Sequence, residues 1–244
     1  MRLLLVIAFI LPACNRSKHT DLLIEKIITD ESLYDGYLIE RVNGFHHLEG
    51  YTQTDSSFGI VAVHGYYPLT SPSNGFEWTK AMKGLSAIQK PIWWYRHDWF
   101  NCPDSTRRRL TLAIDSLTME NPHLDSLWII GHSLGGYIVS DLAVNWESEF
   151  PLTVHAIAAP LKKISKKPQN CEIVEKNEYE IKPSVKYFQW RTEQKSDGAF
   201  KDLEEDPQDV YIDNGHHILL PSSWKENRLG HNLSIQFVVD HLIK

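Results

Sequence analysis

The sequence predicts one α/β domain on a mostly parallel sheet with helices on both faces, and three observations carry that expectation. Apolar runs such as Gly59-Ile-Val-Ala-Val63 and Leu127-Trp-Ile-Ile130 do not alternate with polar residues, which is the pattern of strands buried on both sides. Helical segments fall between these runs, as in repeated strand-helix-strand units. The chain of 244 residues, 42% apolar and 23% charged, is long enough for one full core and shows no obvious second domain.

The elements follow in order. After Met1-Arg2 comes an apolar run of residues 3–11, too short to span a bilayer and of the length of a signal-peptide core. It ends in Leu11-Pro-Ala-Cys14, which resembles a bacterial lipoprotein processing site, with Cys14 as the lipid-bearing first mature residue; Pro12 departs from the usual small or aliphatic residue. The expectation is a leader over 1–13, a polar tether over 14–20 and the folded domain over 21–244. The protein would be exported and held at the membrane of a bacterial envelope by its N-terminal lipid. A plainly cleaved secretory signal, giving a soluble exported protein, is the alternative.

Residues 37–52 alternate loosely, with Gly44 and Gly50 as turn points, and predict an opening antiparallel pair. Strands are expected at 59–63, 91–95, 127–130, 153–158, 185–190 and 209–212, and helices at 74–89, 105–120, 137–146 and 234–243. A lysine- and glutamate-rich insertion covers 161–184. With Cys14 set aside, Cys102 and Cys171 form an even pair that could close a disulfide in an oxidising compartment. No zinc-ligand spacing occurs. The net charge of −6 offers no general attraction to nucleic acid, and Arg107-Arg-Arg109 reads as a solvated helix face.

The chemistry centres on Ser133. Gly131-His-Ser-Leu-Gly135 fits G-x-S-x-G directly between an apolar strand and a helix start, where a serine on a sharp turn projects its hydroxyl away from the sheet. The helix N-terminus aims the backbone N–H of Leu134 at any oxyanion formed beside Ser133. A serine hydroxyl is a weak nucleophile at neutral pH and needs a histidine to take its proton and a carboxylate to orient that histidine.

GHSLGG at 131–136, VAVHGYY at 61–67 and Leu229-Gly-His-Asn232 together resemble the α/β-hydrolase family over about residues 58–244. That resemblance implies the α/β-hydrolase fold and a triad in the chain order serine, acid, histidine. Among twelve histidines it points to His231, in a Gly-His turn before the last helix, with the adjacent pair His216-His217 as rival. The remaining histidines outside the motifs read as surface or packed residues. For the acid it points to the loop after strand 185–190, where Asp197 is preferred to Glu193; the acidic run over 202–206 reads as solvated surface. It places the second oxyanion donor at the N–H of Tyr66, with His64 orienting the loop and Gly65 permitting close backbone approach.

The resemblance also implies a small cap over 161–184 or none. Tyr66 and Tyr67 are expected to line the pocket, and Trp93 and Trp94 to pack in the core. The activity implied is cleavage of carboxylic esters by a serine esterase, without metal or organic cofactor, on a small acyl ester or a lipid. A lipase acting on aggregated lipid, a thioesterase or acyltransferase using the same triad, and a non-catalytic binding lipoprotein are the other readings.

Overall fold

The computed structural model describes residues 22–29, 36–55, 57–67, 77–164 and 171–243. The expected leader, Cys14 and the tether lie outside these residues.

Short elements open the chain: β1 (Leu22–Leu23), α1 (Ile24–Thr29) and α2 (Gly36–Ile39). The first regular unit is then β2 (Gly44–Glu49), β3 (Phe58–Val63), α3 (Glu77–Ser86), β4 (Ile92–Arg96) and α4 (Pro103–Glu120). The second is β5 (Ser126–His132), α5 (Leu134–Asn145) and β6 (Leu152–Ile157), followed by β7 (Glu178–Glu180) and β8 (Val185–Arg191). The chain closes with β9 (Tyr211–Asp213), β10 (Gly215–Leu219), a hairpin of β11 (Ser223–Trp224) and β12 (Asn227–Arg228), and α6 (Leu233–Leu242).

Eight strands form the central sheet in the order β1-β2-β4-β3-β5-β6-β8-β10, parallel throughout except where β2 runs against β4. The continuous apolar runs account for its middle: Ile60, Val61, Ala62, Val63, Leu127, Ile129, Ile130, Val154, Ala156 and Ile157 are all fully buried. Right-handed crossovers carry α4 and α5, which pack on each other, over one face, because their connections run toward β8. The connection through α3 runs the other way, so α3 lies on the opposite face, where it packs on α6. Helix α5 is buried at every residue from Leu134 to Ala143, which explains why its sequence lacks an amphipathic stripe.

Three expectations are corrected. Residues 37–52 are not an antiparallel pair: the segment holds α2 and the single strand β2, whose antiparallel partner is β4, with Phe45 opposite Tyr95. Residues 211–213 do not extend the main sheet but pair with β7 in a separate two-stranded sheet, and the eighth position is taken by β10. The rival histidines His216 and His217 follow β9, as expected of them, and lie within β10. Helix α5 also begins at Leu134, immediately after the serine.

Cys102 and Cys171 are joined in a disulfide with Cα atoms 5.5 Å apart, fastening the segment after β6 to the start of α4. The same segment is held by Lys176, whose Nζ lies 2.7 Å from Asp141 Oδ1, while Arg107 Nε lies 3.2 Å from Asp141 Oδ2. Only β7 is regular between β6 and β8 among the described residues, so the cap is small, as expected. The disulfide closes a span of 69 residues, and loop-closure entropy gives such a crosslink about 2–4 kcal/mol. Replacing both cysteines with serine should lower the melting temperature by about 5–15 °C for a chain of this size, read by calorimetry in the absence of reductant.

Candidate active site

The site follows from where the sheet reverses its winding. β3 and β5 are neighbours, with Val63 opposite Gly131, yet the chain leaves them in opposite directions, through α3 and α5. That opens a crevice at their carboxyl ends, and the residues at and just beyond those ends, His64-Gly65-Tyr66 and His132-Ser133-Leu134, face each other there.

Ser133 caps α5 with φ 55° and ψ −121°, a left-handed conformation that a residue with a Cβ adopts at a cost of about 1–3 kcal/mol. Two glycines let the turn form. A Cβ on Gly135 would lie 2.3 Å from the Val63 carbonyl oxygen and 2.4 Å from that of His64, so only glycine lets the first turn of α5 rest on the end of β3. A Cβ on Gly65 would lie 2.9 Å from Ser133 Cβ and 3.0 Å from the His132 carbonyl oxygen, which shows how closely the loop after β3 lies against the serine. The Ser133 N–H donates to the Ile157 carbonyl at 2.9 Å, and its carbonyl receives the first helical bond from the Tyr137 N–H at 3.0 Å. The N–H of Leu134 heads the helix and has no carbonyl within it to bond.

His64 fixes the facing loop. Its Nδ1–H donates to the Gly65 carbonyl at 2.7 Å, which turns the N–H on the other side of that peptide, belonging to Tyr66, away from His64. Its Nε2 accepts from the His97 N–H at 3.1 Å, and the His97 ring donates from Nε2 to the His64 carbonyl at 2.8 Å. The two rings stack with centroids 4.0 Å apart. Burial drives the pKa of His64 well below the ordinary histidine value and that of His97 to about 4, so both are neutral near pH 7. His64 is therefore a structural residue, as its position in the loop implied.

Asp197 and His231 meet across 34 positions of sequence, Nδ1 of His231 lying 3.0 Å from Asp197 Oδ2. Asp197 is fully buried; Thr192 Oγ1 donates to its Oδ2 at 2.6 Å and the Ala199 N–H to its Oδ1 at 2.8 Å. Burial pushes the Asp197 carboxyl up, but hydrogen bonds from His231, Thr192 and Ala199, with the adjacent imidazole, outweigh it and hold the pKa below the usual value. His231 is held from three sides. Phe200 stands edge-on to its ring at 4.9 Å, the His132 ring lies 4.7 Å away, and its carbonyl accepts from His132 Nε2–H at 2.9 Å and Ser234 Oγ at 2.5 Å. Since His132 precedes Ser133, the His231 loop is bonded directly to the turn that bears the serine. Burial and the neighbouring His231 lower the His132 pKa to about 3, which keeps it a neutral donor.

The other candidates are engaged elsewhere. Glu193 accepts from Ser196 Oγ at 2.8 Å on the surface. His217 Nδ1 lies 2.7 Å from Gln189 Oε1, and the His216 ring stacks on Phe188. Tyr67, expected to line the pocket, is 6% exposed and packs on His64 and Trp99, whereas Tyr66 is half-buried with its ring edge-on to Phe100. Phe100, 55% exposed, was not anticipated because nothing in its local sequence ties it to the loop after β3. Thr192 was missed likewise: a threonine after a strand carries no signal until Asp197 folds back on it. Among the described residues no hydrogen bond joins Ser133 Oγ to His231.

No protein-family model matches the sequence, and no curated protein is significantly similar to it. Solved structures are similar in fold. A lidless α/β serine hydrolase from Xanthomonas campestris is 14% identical with a TM-score of 0.51, over 81% of this chain and 86% of the other. A lipase-esterase related protein from Clostridium acetobutylicum is 13% identical with a TM-score of 0.52, over 81% and 98%. An esterase from Pyrococcus furiosus is 14% identical with a TM-score of 0.50, over 77% and 80%. The sheet order, the helices on both faces and these likenesses define the α/β-hydrolase fold.

Proposed function

We propose that this protein is a serine hydrolase that cleaves carboxylic esters through an acyl-enzyme. The observation that carries the reading is the buried Asp197–His231 pair, bonded through His132 to the strained turn bearing Ser133. Ser133 Oγ attacks the ester carbonyl carbon as His231 Nε2 takes its proton, and Asp197 holds the proton on Nδ1 and stabilises the imidazolium. The carbonyl oxygen, now negative, is bound by the N–H groups of Leu134 and Tyr66. Collapse breaks the bond to the alcohol, which leaves with the proton from His231. Water then adds by the same route in reverse, releasing the acid and restoring Ser133. No step calls for a metal or organic cofactor.

Tyr66 and Phe100 offer an apolar wall beside the oxyanion loop, and the small cap leaves the site open, which suits an acyl ester of modest size. No helix among the described residues is long and apolar enough to cross a membrane. A lipid on Cys14 would supply the tether in the envelope, and a fatty-acid probe that labels the wild type but not Cys14→Ala tests it.

The activity is tested with the domain starting after Cys14. A fluorophosphonate should label Ser133, located by peptide mass spectrometry, and a chromogenic ester series should be turned over. Preference for short chains without gain above substrate aggregation marks an esterase; long-chain preference with such a gain marks a lipase. Absence of both the label and turnover would refute the serine-hydrolase reading.

A further inference from the structure

A buried chain of hydrogen bonds stands behind Asp197, and none of its members takes part in the steps above. Thr192 follows the last residue of β8, where strand pairing stops: Leu220 N–H still reaches the Arg191 carbonyl at 2.7 Å, and beyond it neither neighbouring strand continues. The carboxamide of Gln208, fully buried, takes over that pairing. Its Oε1 accepts from the Thr192 N–H at 3.1 Å and its Nε2 donates to the Thr192 carbonyl at 3.0 Å, so one side chain satisfies both backbone groups as an adjacent strand would. Gln208 is itself fixed. Its N–H donates to Asp206 Oδ1 at 2.9 Å and its Nε2 lies 3.2 Å from the same oxygen, while its carbonyl accepts from Gln189 Nε2 at 2.7 Å. Gln189, in turn, bonds His217.

Thr192 has one hydroxyl proton, and the 2.6 Å contact with an ionised carboxylate claims it, leaving the 3.2 Å approach to Gln208 Oε1 secondary. The acceptor is Asp197 Oδ2, the same oxygen that faces His231 Nδ1. Two donors therefore share one oxygen, and the share taken by Thr192 is subtracted from the imidazole.

We propose that Gln208 is a positioning residue for the Asp197–His231 pair: by clamping the Thr192 backbone it fixes the hydroxyl that sets how strongly Asp197 accepts from His231. The inference rests on the reading of Asp197 and His231 as acid and base. The groups facing His231 are the Asp197 carboxylate, the neutral His132 ring and the apolar Phe200 ring, and those around Gln208 are Asp206, Arg191, Asp209 and His217. All of them remain in every variant below.

Thr192→Val removes the competing donor at nearly constant volume. Asp197 Oδ2 is then left to His231, the imidazolium gains, and the acidic limb of kcat/KM moves up by about half a pH unit. The loosened carboxylate lowers kcat roughly tenfold with KM little changed. Thr192→Ser restores the hydroxyl and both values. Gln208→Met, which keeps length but has no donor and only a weak thioether acceptor, shifts both in the same direction as Thr192→Val; Gln208→Asn, too short to span both backbone groups, serves if the methionine variant does not fold. Because the residues act in series, the Thr192→Val, Gln208→Met double variant is no worse than the poorer single. The His231 ring titration, followed by NMR on protein carrying 15N-labelled histidine, reads the same shift without needing turnover. An unmoved His231 titration in folded Gln208 variants, or additive losses, overturns the inference. A titration that moves in a protein without turnover or Ser133 labelling supports the inference and refutes the activity.

Discussion

Ser133→Ala should lower kcat by a factor on the order of 10⁵–10⁶ while leaving the fold intact, because in the proposed mechanism it removes the atom that forms the covalent bond. The residual rate would come from the oxyanion donors and binding alone. Among the described residues the Ser133 side chain makes no hydrogen bond, so the melting temperature should stay within a few degrees of wild type. A second substitution separates function from strain. Ser133 sits at φ 55°, which costs about 1–3 kcal/mol, whereas glycine adopts that region freely at an entropic cost of about 0.5–1 kcal/mol. Ser133→Gly should thus be as inactive as Ser133→Ala but more stable than it, by about 1 kcal/mol in urea unfolding. An equal or lower stability would mean that the turn stores no strain.

Asp197→Asn should cost on the order of 10⁴ in kcat, for a reason visible in the bonds around the carboxylate. Oδ1 receives the fixed Ala199 N–H, so the carboxamide oxygen is held on that side and the NH₂ group turns toward His231 Nδ1. Nδ1 must then accept, its proton moves to Nε2, and the imidazole can no longer take a proton from Ser133. Rates at high and low substrate should fall together, since substrate binding is untouched.

The same residue sets an acid limit on stability. The folded pKa of Asp197 is lowered, so the stability it contributes is fully present above the unfolded aspartate value of about 3.9 and is lost as pH falls through the lower folded value. Wild type should therefore lose stability relative to Asp197→Asn between about pH 4 and its folded pKa, as compared by urea unfolding at pH 7 and pH 3. A gap between the two proteins that does not change with pH would contradict the assigned pairing.

The sequence by itself determined what depends on neighbours along the chain. The apolar runs that became β3 and β5 were legible because strands covered on both faces cannot carry polar residues. The turn at Ser133 was legible because its geometry requires small residues at fixed offsets, and Gly131, Gly135 and Gly136 supply them. With Cys14 set aside as the lipid-bearing residue, Cys102 and Cys171 remained as an even pair, but that they meet is a fact of the tertiary structure. By contrast β10 went unseen: an edge strand reading Gly-His-His-Ile-Leu is mostly exposed and has no apolar signature to find. The loose alternation before residue 52 misled for the opposite reason, since one strand pairing with distant β4 looks like half of a local hairpin.

The choice among acids and bases belonged to the tertiary structure. Glu193 and Asp197 share one loop, and His216, His217 and His231 all follow the same insertion, so spacing could rank them only through a family resemblance. What decides is which carboxylate is buried against which imidazole. That depends on the loop after β8 carrying Asp197, and the turn before α6 carrying His231, to the carboxyl ends of the strands, and on Thr192, Ala199, His132 and Phe200 arriving there with them. Hydrogen bonds between residues tens of positions apart leave no periodic trace in a single sequence. They exist only once the crossovers have brought the carboxyl ends of the strands together.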